Sequence, residues 1–177
     1  MLPEMDLASR VRRAALLEGE FVLSSGKRSN FYVDKYLFCT DPALLRDLAA
    51  ALAERIPESV TRLAGVELGA VPLVVAASLR TGLPYVIVRK AAKGHGASAG
   101  RSIEGKLERG ERVALLEDVV TTGTQAVEAA GRLAAAGAEV AMILAVLDRR
   151  ETQEQGLGGL PFAALLRMEE LRVAKGD

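Results

Sequence analysis

The fold class of this chain is indicated by one stretch, Val113-Ala114-Leu115-Leu116-Glu117-Asp118-Val119-Val120-Thr121-Thr122-Gly123-Thr124. Its four leading apolar residues predict a strand over residues 113–116, and an alanine-rich helix is expected over residues 124–136. A buried strand that passes through a short turn into a helix is the repeating unit of α/β proteins with parallel sheets. This stretch therefore predicts an α/β fold.

Apolar runs and helical patterns alternate on both sides of this stretch. Further strands are expected at residues 63–66, 85–88, 140–147 and 162–166, and further helices at residues 42–56 and 71–79. Runs of Val, Leu and Ile separated by helices indicate a mainly parallel sheet flanked by helices. The carboxyl ends of such strands share one edge of the sheet, and ligands of open α/β sheets bind there.

The first 40 residues precede this repeat and contain shorter elements. An amphipathic helix is expected from Leu7 to near Gly19. Extended segments are expected at residues 21–23 and 31–38, with a polar turn between them. Because these short elements lie before the α/β repeat, we expect them to form a small lobe, or hood, against the sheet.

Length and composition bound the organisation of the chain. The sequence has 177 residues, half of them hydrophobic, which suits one domain with a substantial core. We predict a single domain over residues 1–177, with the hood elements at about 1–40 and the core at about 41–177. No internal repeat or low-complexity linker interrupts it.

Charge and cysteine content restrict the function classes. The 23 basic and 23 acidic side chains cancel, which argues against a general nucleic-acid binder. The lone cysteine, Cys39, fits a reducing compartment; it is either a small apolar filler, which we favour, or a nucleophile. Glu4 and Asp6 stand where a signal peptide has basic residues, and no apolar run approaches the roughly 20 residues of a membrane span. We expect a cytoplasmic protein with no membrane or nucleic-acid partner.

The turn after the strand at residues 113–116 has the chemistry of a sugar-phosphate site. A helix N-terminus offers free amides and a partial positive charge to a phosphate, and Gly123 allows the backbone to approach closely. The acids Glu117 and Asp118 suit hydroxyl groups or a bound cation instead. The alternative is an N-capping turn with two solvated acids.

A second polar segment, residues 89–101, is basic and rich in small residues. It carries Arg89, Lys90, Lys93 and the only histidine, His95, and it contains no acid. Such a loop near a phosphate site can close over a pyrophosphate and exclude water. The alternative is a solvated surface loop.

Three segments together resemble the orotate phosphoribosyltransferase family of type I phosphoribosyltransferases. Residues 113–124 resemble the phosphoribosyl-pyrophosphate signature at every position: four apolar residues, two acids, two apolar residues and a Thr-Gly-Thr-like turn. Residues 89–95 have the spacing of the family's catalytic loop. Residues 21–34 resemble its N-terminal hood, with the pattern Phe-x-Leu-x-Ser-Gly-x-x-Ser-x-x-Tyr-x-Asp.

The resemblance implies a type I phosphoribosyltransferase fold and an activity. The expected reaction transfers ribose 5-phosphate from 5-phosphoribosyl 1-pyrophosphate to orotate, giving orotidine 5'-monophosphate and pyrophosphate in pyrimidine (UMP) biosynthesis. Mg²⁺ is the implied cofactor, held by Glu117 and Asp118 through hydroxyls or water. A homodimer is implied, with active sites shared across the interface.

The resemblance also assigns roles to residues. The pyrophosphate-binding catalytic residues are Arg89, Lys90, Lys93 and His95. The donor-binding residues are Glu117, Asp118, Val119, Val120, Thr121, Thr122, Gly123, Thr124 and Gln125. The orotate-binding residues are Lys27, Phe31, Thr121 and Arg149. A planar base with a carboxylate suits a cation and an aromatic surface.

Several alternatives stay open at this point. Arg150 competes with Arg149 as the orotate contact, and the hood lysine is also compatible with a solvated hairpin tip. After the strand at residues 63–66, some family members have a basic residue for pyrophosphate, but this chain has Glu67-Leu68-Gly69. Rival functions are transfer to another base, a donor-sensing regulatory protein on the same fold, and an inactive structural domain.

Overall fold

The computed structural model describes residues 6–22, 26, 28–90, 102–152, 154 and 156–173. Lys27, Lys93 and His95, to which the sequence assigns roles, lie outside the described residues. Within the described ranges, the helices and strands are, in chain order, α1 (Leu7–Ala15), β1 (Leu16–Val22), β2 (Arg28–Val33), α2 (Lys35–Cys39), α3 (Pro42–Ala53), β3 (Arg62–Val66), α4 (Ala70–Thr81), β4 (Tyr85–Val88), β5 (Ile103–Glu104), β6 (Arg112–Val120), α5 (Thr124–Ala135), β7 (Glu139–Asp148), β8 (Gly156–Leu157), β9 (Leu160–Arg167) and α6 (Met168–Val173).

A seven-stranded sheet forms the centre of the fold. Its strand order is β5-β4-β3-β6-β7-β9-β8. The five central strands are parallel, and the two-residue strands β5 and β8 pair antiparallel at the edges. Strands β1 and β2 form a separate antiparallel ribbon. The predicted α/β fold with a mainly parallel sheet and a small N-terminal hood is confirmed.

The two faces of the sheet are covered by different elements. On β6, Ala114 and Leu116 belong to one buried cluster, and Val113 and Leu115 belong to the other. This alternation follows from the two-residue period of a strand. The first cluster includes residues of α1, α2, α3, α4 and α6, whereas the second includes α5. The hood helices therefore pack into the same core as the sheet.

Cys39 is fully buried in the first cluster. Burial is the main cause that raises the pKa of its thiol to about 12, and the nearby charge of Asp118 adds to the effect. A thiol that stays protonated at neutral pH is a poor nucleophile. The environment of Cys39 therefore supports its assignment as a small apolar filler.

The predicted start and end signals of two helices are correct. Asp41 accepts a hydrogen bond from the Leu44 amide at 2.7 Å, and Pro42 occupies the first helical position of α3. Helix α4 ends at Gly82, which has φ +75°, a conformation that glycine adopts without steric cost.

Three predicted boundaries are wrong. Helix α1 ends at Ala15 rather than near Gly19, because β1 begins at once and pairs with β2. The segment predicted as extended over residues 31–38 leaves the strand after Val33. There Asp34 accepts a hydrogen bond from the Tyr36 amide at 3.0 Å and begins α2. A local cap thus outweighs the apolar run that suggested a strand.

The third boundary concerns Glu117 and Asp118, the two acids of residues 113–124. They were expected after the strand, but β6 continues to Val120 and includes both of them. The reason is tertiary, because β7 pairs with β6 as far as the partners Val120 and Asp148. Pairing partners, unlike local apolarity, are set by the neighbouring strand.

The strand order creates a crevice between β3 and β6. From β3 the chain crosses to β4 on one side, whereas β6 lies on the other side of β3. At such a switch point the loops after the two strands diverge and leave space for a ligand. Among the described residues, no helix is long and apolar enough to cross a membrane.

Candidate active site

A cavity of about 650 Å³ lies at the carboxyl ends of β6 and β7 and is closed on one side by the hood. Its volume is in the range of small-molecule sites. Its walls are formed mainly by hood residues and by residues at the end of β6 and the start of α5. They are Val22, Tyr32, Val33, Lys35, Lys90, Glu117, Val119, Val120, Thr121, Thr122, Gly123, Gln125, Ala126 and Arg149.

The turn between β6 and α5 forms one wall of this cavity. Gly123 has φ +84°, and a Cβ atom there would overlap the Leu157 side chain, so only glycine fits. The Thr122 and Thr124 hydroxyls lie 3.1 Å apart at the first turn of α5. This helix has 12 residues, and its free amides face the same turn. Together with the hydroxyls, they offer several donors to a phosphate group.

Two buried acids stand at the end of β6. Glu117 is 6% exposed and Asp118 is 3% exposed. Burial, followed by the neighbouring charge of Asp118, raises the pKa of Glu117 to about 8. An acid in this state gains from any cation or hydroxyl donor that approaches it. The pair is therefore suited to ribose hydroxyls or to a divalent cation.

Asp118 is held by two donors. The Val119 amide donates to its Oδ1 atom at 2.6 Å, and the Lys35 ammonium group lies 2.7 Å from its Oδ2 atom. Burial alone would lower the pKa of Lys35, but the hydrogen bond and the charge of Asp118 raise it above its ordinary value. Sequence reasoning missed Lys35, because residues 83 positions apart give no joint signal in the chain.

The start of the basic segment is anchored at the next strand edge. The Lys90 amide donates to the Glu67 carboxylate at 2.6 Å, and the Arg132 guanidinium donates to the Arg89 and Lys90 carbonyls at 3.1 Å each. Lys90 lines the cavity. The Arg89 guanidinium, by contrast, lies 3.6 Å from Glu104 on β5. Of the two predicted pyrophosphate-binding residues, Lys90 therefore lines the cavity, whereas Arg89 forms an ion pair away from it.

The hood supplies the opposite wall. Tyr32 lines the cavity and its ring centroid lies 5.6 Å from that of Phe21. Phe31, the aromatic expected to cover a base, has its ring under the Arg172 guanidinium at 4.4 Å. Because neighbouring residues of a strand face opposite ways, Phe31 and Tyr32 cannot both face the cavity squarely. Sequence reasoning missed Tyr32, although it lies inside the hood pattern.

The two arginines after β7 have different environments. Arg150 donates to both carboxylate oxygens of Asp148 at 3.0 Å and lies 4.2 Å above the Phe162 ring. The Arg149 side chain lines the cavity instead. Burial lowers the pKa of Arg149, and the charge of Arg172 contributes in the same direction. Among the residues that the structure describes, no carboxylate forms an ion pair with Arg149, so its guanidinium is a natural binding group for an anionic ligand.

A metal ion would need oxygen atoms from a ligand or water. Among the described residues, no group of three or more His, Cys, Asp and Glu side chains could hold one. Mg²⁺ is commonly bound by one or two carboxylates together with substrate phosphates and water. The Glu117 and Asp118 pair fits that kind of partial site.

Comparisons with known proteins agree with this geometry. The family model described as "Phosphoribosyl transferase domain" matches residues 40–157. A curated protein named orotate phosphoribosyltransferase, from Halobacterium salinarum, is 48% identical over 169 residues, covering 94% of this chain and 95% of its own length. This chain belongs to the orotate phosphoribosyltransferase family.

Solved structures of orotate phosphoribosyltransferases share the fold. The enzyme from Aeropyrum pernix has a TM-score of 0.81 at 30% identity, covering 94% of this chain and 96% of that one. The enzyme from Mycobacterium tuberculosis, solved with 5-phospho-α-D-ribosyl 1-diphosphate, has a TM-score of 0.70 at 28% identity, covering 94% and 97%. The expectation of a type I phosphoribosyltransferase fold is confirmed.

Proposed function

We propose that this chain transfers ribose 5-phosphate from 5-phosphoribosyl 1-pyrophosphate to orotate, giving orotidine 5'-monophosphate and pyrophosphate for pyrimidine nucleotide synthesis. The observation that carries the proposal is the shared cavity. Glu117 and the glycine turn of the donor signature line the same space as Arg149 and Tyr32. The names of the curated relatives support orotate over other bases.

The donor would lie along β6 and the start of α5. Residues Thr121 to Gln125 would hold its 5-phosphate, and Glu117 and Asp118 would receive its ribose hydroxyls. Val119 and Val120 would form the apolar floor between these two ends. The complex of the Mycobacterium tuberculosis relative with the same donor supports this assignment of substrate.

Orotate would lie between the donor and the hood. Its carboxylate would be bound by Arg149 and Lys27, and Thr121 would donate or accept a further hydrogen bond. Phe31 is the aromatic that the family pattern assigns to the base. Tyr32 is a second candidate for that stacking role, because it lines the cavity.

N1 of orotate bonds to C1 of the ribose and gives up its proton to water or to the departing pyrophosphate, while the bond from C1 to the pyrophosphate oxygen breaks. Positive charge develops on the ribose ring, and negative charge grows on the departing pyrophosphate. The protein therefore acts by positioning and electrostatics. Lys90, Lys93, His95 and Arg89 would offset the charge of pyrophosphate. The backbone near Gly69 is the remaining candidate for the contact that a basic residue makes in some relatives.

Mg²⁺ is the proposed cofactor, and when bound it would neutralise pyrophosphate charge and order the ribose hydroxyls. Glu117 and Asp118 would hold it through those hydroxyls or through water. The position of both acids at the end of β6, with Glu117 lining the cavity, supports this.

The cellular setting and assembly are part of the proposal. A cytoplasmic location is supported by the single buried cysteine, which needs no oxidising compartment. A homodimer is supported by exposed apolar side chains beside site residues. Leu68, next to Gly69, is 64% exposed, and Tyr36 and Leu37, next to Lys35, are 43% and 42% exposed.

The test is loss of orotate absorbance with purified protein, the ribosyl donor and Mg²⁺. Orotate-dependent turnover that a chelator abolishes, with none on uracil or adenine, would support reaction, base and metal together. Turnover on another base alone would keep the donor site and overturn the roles of Arg149 and Lys27. No turnover with any base, but donor binding by calorimetry, would favour a regulatory protein.

A further inference from the structure

We propose that Lys35 is a positioning residue of the ribosyl-donor site, acting through the carboxylate of Asp118. Lys35 stands outside the donor signature and outside the catalytic loop. It belongs to α2 of the hood, yet its ammonium group reaches the end of β6. The proposal rests on the proposed function, because it concerns how the donor is held.

The geometry leaves the Asp118 carboxylate one orientation. The Val119 amide binds Oδ1 at 2.6 Å, and Lys35 binds Oδ2 at 2.7 Å. On a third side the carboxylate rests against Gly69, where a Cβ atom would overlap Oδ2. Two hydrogen bonds and one steric wall therefore limit the rotation of this side chain.

Electrostatics give Lys35 a second task. Glu117 and Asp118 are adjacent buried acids, and two like charges in a poorly solvated place repel each other. Lys35 is the cation at contact distance from this pair among the described residues. Its ammonium group offsets part of the repulsion, so the two acids can stand side by side at the end of β6, where Glu117 lines the cavity.

The position of Lys35 also joins the two halves of the site. Strand β2, which carries Tyr32, runs through Asp34 directly into α2 and Lys35. The ion pair therefore fixes the wall on the base side relative to the wall on the donor side. Because N1 of the base must reach C1 of the ribose, an error of about 1 Å in this alignment lowers the rate strongly.

The expected effect falls on the donor. Lys35→Met should raise KM for the ribosyl donor about tenfold and lower kcat, while KM for orotate changes less than about threefold. Donor affinity measured by calorimetry without orotate should fall by the same factor of about ten. Lys35→Arg should restore part of the donor affinity, because it keeps the charge.

Lys106→Met is the matched control. Lys106 also pairs with a carboxylate at 2.7 Å, that of Glu108, but both side chains are more than half exposed. Removal of this surface pair should leave both KM values and kcat unchanged. If Lys35→Met behaves like Lys106→Met, the proposal is wrong, whereas wild-type turnover on orotate still stands as the test of the proposed function.

A double variant distinguishes whether Lys35 positions Asp118 or contacts the donor directly. It also avoids leaving the buried Asp118 carboxylate without its cationic partner, as Lys35→Met does. In the Asp118→Asn background, removing Lys35 should change donor affinity less than about twofold, because its target is already altered. A further loss of about fivefold or more in that background would mean that Lys35 contacts the donor itself, and would overturn the positioning role. This comparison does not depend on whether Lys35→Met folds alone.

Discussion

The Asp118 carboxylate lies against the backbone of Gly69, so closely that a Cβ atom at Gly69 would overlap Asp118 Oδ2. Gly69 is the N-cap of α4 and follows β3, whereas Asp118 belongs to β6. The switch point of the sheet is thus closed by one direct contact. Gly69 has ordinary helical dihedral angles, φ −69° and ψ −29°, so the requirement for glycine there is purely steric.

Gly69→Ala should displace Asp118 and weaken donor binding. We expect KM for the ribosyl donor to rise at least about tenfold and Tm to fall by several degrees, because the methyl group meets a buried carboxylate. Gly131→Ala is the control, since a Cβ atom there meets nothing within 4 Å in α5. It should keep full activity and gain roughly 0.5–1 kcal/mol of stability. Normal donor KM in Gly69→Ala would show that the contact is irrelevant.

Matched substitutions of Arg149 and Arg150 should have different effects, one on orotate binding and the other on stability. Arg150→Met leaves Asp148 buried without its partner, so we expect a loss of about 3–5 kcal/mol in unfolding free energy and a Tm lowered by roughly 10 °C. Arg149→Met should change Tm little and raise KM for orotate about tenfold or more. Steady-state kinetics and thermal unfolding of both variants test these two roles. An unchanged KM for orotate in Arg149→Met would show that Arg149 does not bind the base.

Glu117 should make the ligand-free protein less stable as pH rises. Its folded pKa of about 8 lies above the ordinary value of 4.5, so the folded state holds an extra proton between these values. This contribution to stability is complete below about pH 4.5 and is lost as pH approaches 8, with a slope of at most about 1.4 kcal/mol per unit.

Denaturant unfolding of chelator-treated protein at several pH values measures this slope. Glu117→Gln should remove the contribution of one proton from the slope of unfolding free energy against pH. Glu58→Gln, at an exposed turn position, should leave the slope unchanged. A profile for Glu117→Gln that matches the wild type would show that another group carries the dependence.

Active sites shared between subunits can be tested by mixing two inactive variants. Lys93→Ala should lower turnover far more than orotate binding, since its proposed target is the leaving pyrophosphate. Asp118→Asn should have very low turnover, because the ribosyl donor still binds but is held out of place. If the two residues serve one site from different subunits, co-expressed dimers should recover about a quarter of wild-type activity. Folded, mixed dimers with no recovery would place both residues in the same subunit's site.

Most of the parallel core could be predicted from local pattern. The strand at residues 85–88 and the helix that follows Asp41-Pro42 were expected where they occur. Buried strands of Val, Leu and Ile and capped helices carry their signals within a few residues. The hood was predicted less well, because α2 depends on the cap at Asp34 and β1 depends on its partner strand.

The donor site could be located from sequence for the same reason. The acids, the glycine turn and the start of α5 are contiguous in the chain, so one motif contains the whole wall. The wall on the base side was predicted only in part. The motif position of Arg149 indicated one of its residues, whereas the others come from the hood and depend on how the hood packs against the sheet. Only the packing of those elements puts Tyr32 in the cavity and Phe31 under Arg172.

The sequence by itself determined the α/β repeat, the phosphate-binding turn and the acid pair. Each is encoded by residues close together in the chain, whose chemistry and hydrophobic periodicity are enough to predict it. The tertiary structure alone decided that Lys35 meets Asp118, that Asp118 rests on Gly69, and that Arg150 is taken by Asp148 while Arg149 lines the cavity. These relationships depend on strand order, on register and on how the hood packs against the sheet, and no local pattern encodes the meeting of residues so distant in the chain.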